Sequence, residues 1–413
     1  MEDSSAAPLP LVSRVKIRNY RSIKSCDVKL ANLTFVVGRN GAGKSNFLDA
    51  ISFVSESLRE SLPQAIAARS PWKHESEGAH PIRRKATGHP RAIAIELCVA
   101  LPNLTTATYG FEIGSKPGRN FFVQRELLVI RDGDGDVTHS FSVAGGQIQS
   151  SSETAVLPQV VDDRLFLVVA AGLAAFRPAY DALISMGFYN FDVENMRLPR
   201  RPDSGELLQR NGGNIASVLG RLSSLRPADK ERIESYLSRI VPGVVGVDRA
   251  RIGTMETLEF KQLVDTDRPW KFLAADMSDG TLRALATLVA TTQFFKLNEH
   301  IRFVGIEEPE SSLHPAASRA LAAALSEAAE QTQILVTTHS TDLLSAMELP
   351  PERLLVVESA GGDSKIGSLD RASIDAIRKH LYNPAELLRM DQLEPDAGDI
   401  ARQEQMRLFE SEP

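Results

Sequence analysis

The apolar run Leu33–Val37 leads without a break into Gly38-Arg39-Asn40-Gly41-Ala42-Gly43-Lys44-Ser45, and Phe47, Leu48, Ile51, Val54 and Leu58 then recur at helical spacing. The order is strand, glycine-rich loop, amphipathic helix. The last third of the chain continues in the same style, with a helix expected over Thr281–Phe295, a strand over Phe303–Ile306, a helix over Ala316–Ala329, a strand over Ile334–Thr338 and a helix near Leu343. The chain is therefore expected to have an α/β core.

Outside these parts the pattern changes. Arg14–Tyr20 alternates like a strand, residues 69–91 are punctuated by Pro and Gly, and the phrases AIAIELCVA, ATYGFEI and FFVQRELLVI read as strands. Helical patterns follow at Ile215–Leu225 and Lys230–Ile240, then strand-like stretches at Val244–Ile252 and Thr257–Val264. We expect a disordered tail over 1–12, a split core over 13–60 and 255–413, and an inserted lobe over 61–254 with strands first and helices after. No heptad pattern is sustained, so long coiled-coil arms are not expected.

With 413 residues and 43% apolar content the chain can bury its own core without metal or disulfide staples. Cys26 and Cys98 have no ligand-like spacing, in keeping with a reducing cytosol. The opening lacks a basic and apolar leader pattern, and Leu165–Phe176 is too short to span a bilayer, so a cytoplasmic protein with no membrane partner is expected.

The octapeptide Gly38–Ser45 fits G-x-x-x-x-G-K-[ST]. In the strand–loop–helix context the backbone N–H groups of such a loop cradle phosphates, Lys44 neutralises them, and the Ser45 hydroxyl is a hard oxygen suited to Mg²⁺. Phe303–Ile306 ends in Glu307-Glu308. Two adjacent carboxylates repel unless a cation or a reacting water uses them, so Glu307 suits the metal side and Glu308 the general base; the alternative is a solvated acidic loop. His339 follows the strand Ile334–Thr338 and would stand at the same sheet edge, from which it could reach a terminal phosphate. Ser278-Asp279-Gly280 precedes the helix containing Leu282 and Leu285; as a bare pattern it is an N-cap, and its free N–H groups would form a second anion site.

In this order the four elements resemble the ABC ATPase set: Walker A at Gly38–Ser45 with Asn46 beside it, signature at Ser278–Thr281, Walker B at Phe303–Glu308 and switch histidine at His339. RVKIRNYRSIKS, GIEEPESSLHP and VTTHSTDLLS are similar to the RecF, SMC and OLD-type branch, including bacterial predicted AAA family ATPases. The likeness covers nearly the whole chain after the tail. It implies a P-loop NTPase core of ABC type with an inserted β-rich and helical lobe, ATP and Mg²⁺ as ligands, and a head-to-tail homodimer in which Ser278 and Gly280 of one subunit belong to the nucleotide site of the other; Asp279 is a cofactor-binding candidate beside them, with contact to its own helix N-terminus as the alternative. Glu307 stands where an aspartate is usual, and Asp279 where a glycine is usual. A Q-loop glutamine is not placed; Gln124 and Gln209 are candidates by location alone. Leu354–Glu358 resembles the start of a TOPRIM nuclease, but Leu393-Glu394-Pro395-Asp396 lacks the two-aspartate spacing such a module needs, so that reading fails.

DNA is the partner the resemblance suggests. A net charge of −6 offers no global attraction to it, so contact would fall to Arg69, Lys73, Arg83, Arg84, Lys85 and Arg91, or to Arg197, Arg200, Arg201 and Arg210; the bland alternative is a solvated basic surface. His74, His80 and His89 are too loosely spaced for a metal site. The leading expectation is an ATP-driven dimeric switch in DNA repair or phage defence that licenses an effector such as a nuclease. The alternative is a nucleotide-sensing module with negligible turnover that holds a partner protein, and a transporter ATPase is disfavoured by the large β-lobe.

Overall fold

The computed structural model describes residues 11–70, 81–85, 92–116, 119–154, 158–161, 163–264, 268–296 and 299–410. Eight strands come first: β1 Val12–Tyr20, β2 Ile23–Lys29, β3 Leu33–Val37, β4 Ile93–Ala100, β5 Thr106–Lys116, β6 Arg119–Arg131, β7 Val137–Ala144 and β8 Gln147–Ser151. Then come β9 Met186–Tyr189, β10 Val244–Ile252, β11 Met255–Leu263, β12 Pro269–Leu273, and a short ribbon of β13 Phe294–Lys296 with β14 Glu299–His300. The series ends with β15 Phe303–Glu307, β16 Gln333–Thr338, β17 Leu354–Ala360 and β18 Asp363–Gly367.

Thirteen of these strands form one sheet, in the order β8-β7-β6-β5-β4-β1-β2-β18-β17-β3-β16-β15-β9. Pairing among β17, β3, β16, β15 and β9 is parallel, whereas β4 to β8 form an antiparallel meander. The parallel strands are buried along nearly their whole length, as their near-continuous apolar sequences require. Period-2 alternation divides their side chains between two cores. Val36, Phe303 and Leu335 face the helix Lys44–Arg59 with its Phe47, Leu48 and Ile51. Phe35, Val37, Val304, Ile306, Ile334 and Val336 face the helices Asp279–Thr292 and Ser318–Ala328 through Leu282, Leu285 and Leu321.

Several boundaries differ from expectation. β1 starts at Val12, whose N–H donates to Gln333 Oε1 at 2.7 Å, and the buried Leu11 accepts from Ala100 N–H at 2.7 Å, so residues 11 and 12 are fastened to the core and are not a tail; residues 1–10 lie outside the described residues. The stretch 61–254 is not a body apart: β4 to β8 extend the core sheet, and β9 pairs with β15 from Phe303↔Met186 to Ile306↔Tyr189. The boundary at 254/255 falls in the turn of the β10–β11 hairpin, which the helices Ile215–Leu225 and Pro227–Ile240 cover. The helix expected over Thr281–Phe295 ends at Thr292, and the backbone is extended from Gln293. Thr287, Thr291 and Thr292 turn their hydroxyls back onto helix carbonyls, and the Gln293 side chain bonds to Ala290 O and Tyr189, which fixes the stop. The longest helix among the described residues is the 16-residue Lys44–Arg59, and no described helix is long and apolar enough to cross a membrane.

Candidate nucleotide site

Parallel pairing puts the carboxyl ends of β3, β15, β16 and β9 on one edge of the sheet, and the motif residues gather there. The loop after β3 has two positive-φ glycines, Gly41 at 77° and Gly43 at 108°. Gly38 and Gly43 are also close-approach positions: a Cβ on Gly38 would stand 2.2 Å from Val357 O, and one on Gly43 would stand 1.9 Å from Ser364 Oγ. The loop is thus clamped from β17 and β18 as well as bent by its own glycines. Ser364 Oγ donates to Ala42 O at 2.6 Å, Ser22 Oγ lies 2.6 Å from Ser364 Oγ, and Asn46 Nδ2 donates to Ser22 at 2.7 Å.

Lys44 is buried and its Nζ donates to the carbonyls of Gly38 at 2.8 Å and Arg39 at 3.1 Å. Burial pushes its pKa down, against the pull of Glu308 and Glu310. Ser45 is exposed and hydrogen-bonds Glu307, whose carboxyl is raised by burial and lowered again by Ser45 and Arg210. Glu308 takes a left-handed backbone, φ 43°, and its Oε1 lies 2.9 Å from His339 Nδ1. Its N–H donates to Thr337 O at 3.0 Å, which ties the turn after β15 to β16. Arg39 pairs with Asp391 at 3.0 Å on the exposed side of the loop. Two buried oxygens beside this edge, Glu310 Oε2 and Thr337 Oγ1, have no hydrogen-bond partner among the described residues, while Glu310 Oε1 accepts from Thr338.

The residues fit a hard divalent ion and a phosphate chain. Ser45 and Glu307 are adjacent oxygen donors, and among the described residues no group of three or more His, Cys, Asp or Glu could hold a metal ion by itself. That donor set suits Mg²⁺, which takes one or two protein oxygens and completes its shell with water and phosphate.

The Ser278 side chain caps the helix Asp279–Thr292, accepting from Thr281 N–H at 3.3 Å. Asp279 bonds Arg197, which also donates to Met277 O at 3.0 Å. Gly280 is pressed against the segment that follows β15, since a Cβ there would stand 2.4 Å from Ser312 O. The N-cap reading of S-D-G and the close approach of its glycine therefore coexist.

Neither glutamine candidate joins the site. Gln124 is on β6 in the antiparallel wing, and Gln209 is exposed beside Gly213. The residue that does reach it from the lobe is Arg210, 3.6 Å from Glu307 Oε1, although its sequence neighbourhood marks it only as one more surface cation. The other basic residues are largely engaged within the chain. Arg69 pairs with Asp49 and Glu56, Arg84 makes two 2.6 Å bonds to Asp363, and Arg197 bonds Glu194 and Asp279. Lys73, Arg91, His74, His80 and His89 lie outside the described residues.

Residues 176–345 match the family described as "AAA domain, putative AbiEii toxin, Type IV TA system", and residues 11–130 match "AAA ATPase domain". The DNA replication and repair protein RecF of Vibrio cholerae is 41% identical over 61 residues, which are 14% of this chain and 16% of RecF. The chain thus aligns with only about a sixth of the curated relatives it matches. Among solved structures that share the fold are two Smc heads. An Smc head bound to the C-winged helix domain of ScpA has a TM-score of 0.54 at 15% identity, over 88% of this chain and 99% of the other. A Pyrococcus furiosus Smc head with an extended coiled coil, bound to the C-terminal domain of ScpA, has a TM-score of 0.51 at 14% identity, over 90% of this chain and 100% of the other. A strand–loop–helix phosphate cradle, an acidic pair two strands away and a serine-capped helix on the far face occur here together with these likenesses: the chain has an ABC-type P-loop ATPase fold, with two segments similar to AAA ATPase domains and a short stretch similar to RecF.

Proposed function

We propose that this chain binds ATP with Mg²⁺ at the Gly38–Ser45 loop, hydrolyses it, and works as an ATP-dependent head-to-tail homodimer that couples closure to DNA or to an effector protein. The observation that carries the reading is the pair Glu308–His339, 2.9 Å apart at the ends of neighbouring strands. A non-glycine residue at φ 43° costs energy that the fold has to supply, and such strain is concentrated at working sites. Glu308 is the base that orients and deprotonates the attacking water, and His339 holds that carboxylate in place and reaches the terminal phosphate. Lys44 and the loop amides bind the phosphates, and Ser45 and Glu307 hold the ion. Mg²⁺ when bound neutralises developing charge on the phosphate oxygens. Ser278, Asp279 and Gly280 complete the partner's site.

The biological setting is DNA repair or phage defence. RecF by its name acts in DNA replication and repair, the matched family description refers to a putative AbiEii toxin, and both Smc heads were solved with ScpA domains. Those associations come to this chain as part of the proposal, as does a nuclease or other effector as partner.

Glu308→Gln tests the reading. The amide can still orient a water but is a very poor base, so turnover falls by roughly 10²- to 10⁴-fold while ATP binding persists. Uncleaved ATP then holds two subunits together, and light scattering finds a dimer with ATP and a monomer with ADP. Adding Ser278→Arg abolishes the dimer. A Glu308→Gln protein that stays monomeric with ATP, or that hydrolyses it normally, refutes the sandwich. Wild-type protein that closes on ATP without measurable phosphate release, with or without DNA, supports the nucleotide-sensing alternative instead.

A further inference from the structure

Three carboxylates converge on the half-exposed guanidinium of Arg210: Asp49 at 3.6 Å, Glu56 at 3.5 Å and Glu307 at 3.6 Å. None of these contacts is a short bond, so the cation is shared among three anions of similar reach. Asp49 is buried and already receives Tyr20 Oη at 2.6 Å, Arg69 at 3.0 Å and Arg21 at 3.1 Å. For Glu307 the described partners are the Ser45 hydroxyl and Arg210.

The backbone of the same residue belongs to another part of the chain. Arg210 O accepts from Asn190 N–H at 2.9 Å and Asn211 O accepts from Asp192 N–H at 3.0 Å, so the segment runs beside the continuation of β9. Asp192 caps the short helix Val193–Arg197 by accepting from Glu194 and Asn195 N–H. Arg197, at the end of that helix, grips Asp279 and Met277 O. A continuous set of contacts, an ion pair at its Glu307 end and hydrogen bonds beyond, therefore runs from Glu307 through Arg210, the 190–192 backbone and Arg197 to the turn at Ser278.

We propose that Arg210 is a positioning residue that links occupancy of the Ser45–Glu307 pair to the Ser278–Thr281 turn. The inference rests on the nucleotide reading above and extends it to the lobe. A divalent ion taken up by Glu307 and a guanidinium 3.6 Å from the same carboxylate repel each other. Asp49 and Glu56 offer Arg210 two anions at equal range, so the side chain shifts onto them at little cost. Its backbone partners at Asn190 and Asp192 follow, and with them the helix that carries Arg197. The two arrangements differ in where Arg210 sits, and the ion biases between them.

Hydrogen exchange on the full chain tests this, with AMP-PNP in the presence of Mg²⁺ or of EDTA, at concentrations where light scattering finds a monomer. In the wild type, Mg²⁺ changes exchange at Asn190–Asp192 and in residues 277–281 by about three-fold or more. At AMP-PNP concentrations that saturate each protein by its own titration, Arg210→Gln loses at least half of the Mg²⁺ response at 277–281, and Arg210→Lys, which keeps the charge, retains it. A wild-type-sized response at 277–281 in Arg210→Gln overturns the link while leaving the nucleotide site intact. Wild-type protein that fails to bind AMP-PNP overturns the nucleotide reading and the link with it.

Discussion

Lys44 is buried among carbonyls of its own loop, with Glu308 and Glu310 supplying the opposing field. The lysine is thereby held on the inner side of the loop, pointing where a phosphate chain would lie. Replacing it by alanine removes a charge-assisted contact of roughly 2 kcal/mol or more, a loss of about thirty-fold or greater in ATP affinity. Calorimetry on Lys44→Ala checks this, and an unchanged affinity would remove the loop from the site. Gly280 illustrates a different constraint at the same level of detail. Its role is to let the helix Asp279–Thr292 come close to Ser312, and no side chain fits between them. That glycine is a packing requirement within one subunit, whatever it contacts across a dimer.

The elements outside the sheet edge that carries the motif residues are joined by buried polar groups. The helix Phe166–Ala170 has no side-chain cap of its own. Glu126 on β6 supplies it, accepting from Phe166 N–H at 2.5 Å, Leu167 N–H at 2.9 Å and Tyr109 Oη at 2.9 Å. Burial pushes this carboxyl up to about 7, and the three hydrogen bonds offset only part of the shift. A carboxyl with a folded pKa above its unfolded value binds its proton more tightly in the native state. Its contribution to stability is therefore largest below the ordinary glutamate range and declines as pH rises from there to about 7. The decline amounts to at most about 3 to 4 kcal/mol. Glu126→Gln has no proton to lose, so its melting temperature should depend less steeply on pH between about 4.5 and 7 than that of the wild type. Parallel profiles for the two proteins would show that Glu126 does not titrate in this range.

At the level of the whole chain, the C-terminal segment returns to the first strands. Phe409 packs against Ala94, Leu127 and Val129, and its N–H donates to Glu96 Oε2 at 2.8 Å. Lys16 pairs with Glu96 at 2.9 Å, Arg18 donates to Met406 O, and Arg125 lies over the Phe409 ring at 4.8 Å. The antiparallel wing is thus fastened to the end of the chain as well as through β1. Phe409→Ala removes a large buried side chain and is expected to lower stability by about 3 kcal/mol, read from the denaturation midpoint. Because the contact is remote from Lys44, ATP affinity should stay unchanged. A loss of ATP binding with no loss of stability would contradict this separation.

The phosphate loop, the acidic pair after Ile306 and the histidine after Thr338 are legible in the amino-acid order alone, because each is a local pattern: an apolar run sets a strand, glycines set a turn, and helical spacing sets the element after the turn. Their meeting at one edge, and the 2.9 Å contact between Glu308 and His339, depend on parallel pairing between strands distant in sequence. β9 is not legible in this way, since four residues, MGFY, are too few to show a period, and only its place beside β15 makes it a strand. The basic residues show the same limit. Their sign is readable one residue at a time, but Arg84 finds Asp363 from 279 positions away, and Arg210 finds Glu307 only because its backbone is held beside Asn190 and Asp192. Local sequence determines which groups are offered. Which of them meet is decided by long-range strand pairing and burial, because a charge settles against whichever counter-charge the packed backbone brings within reach.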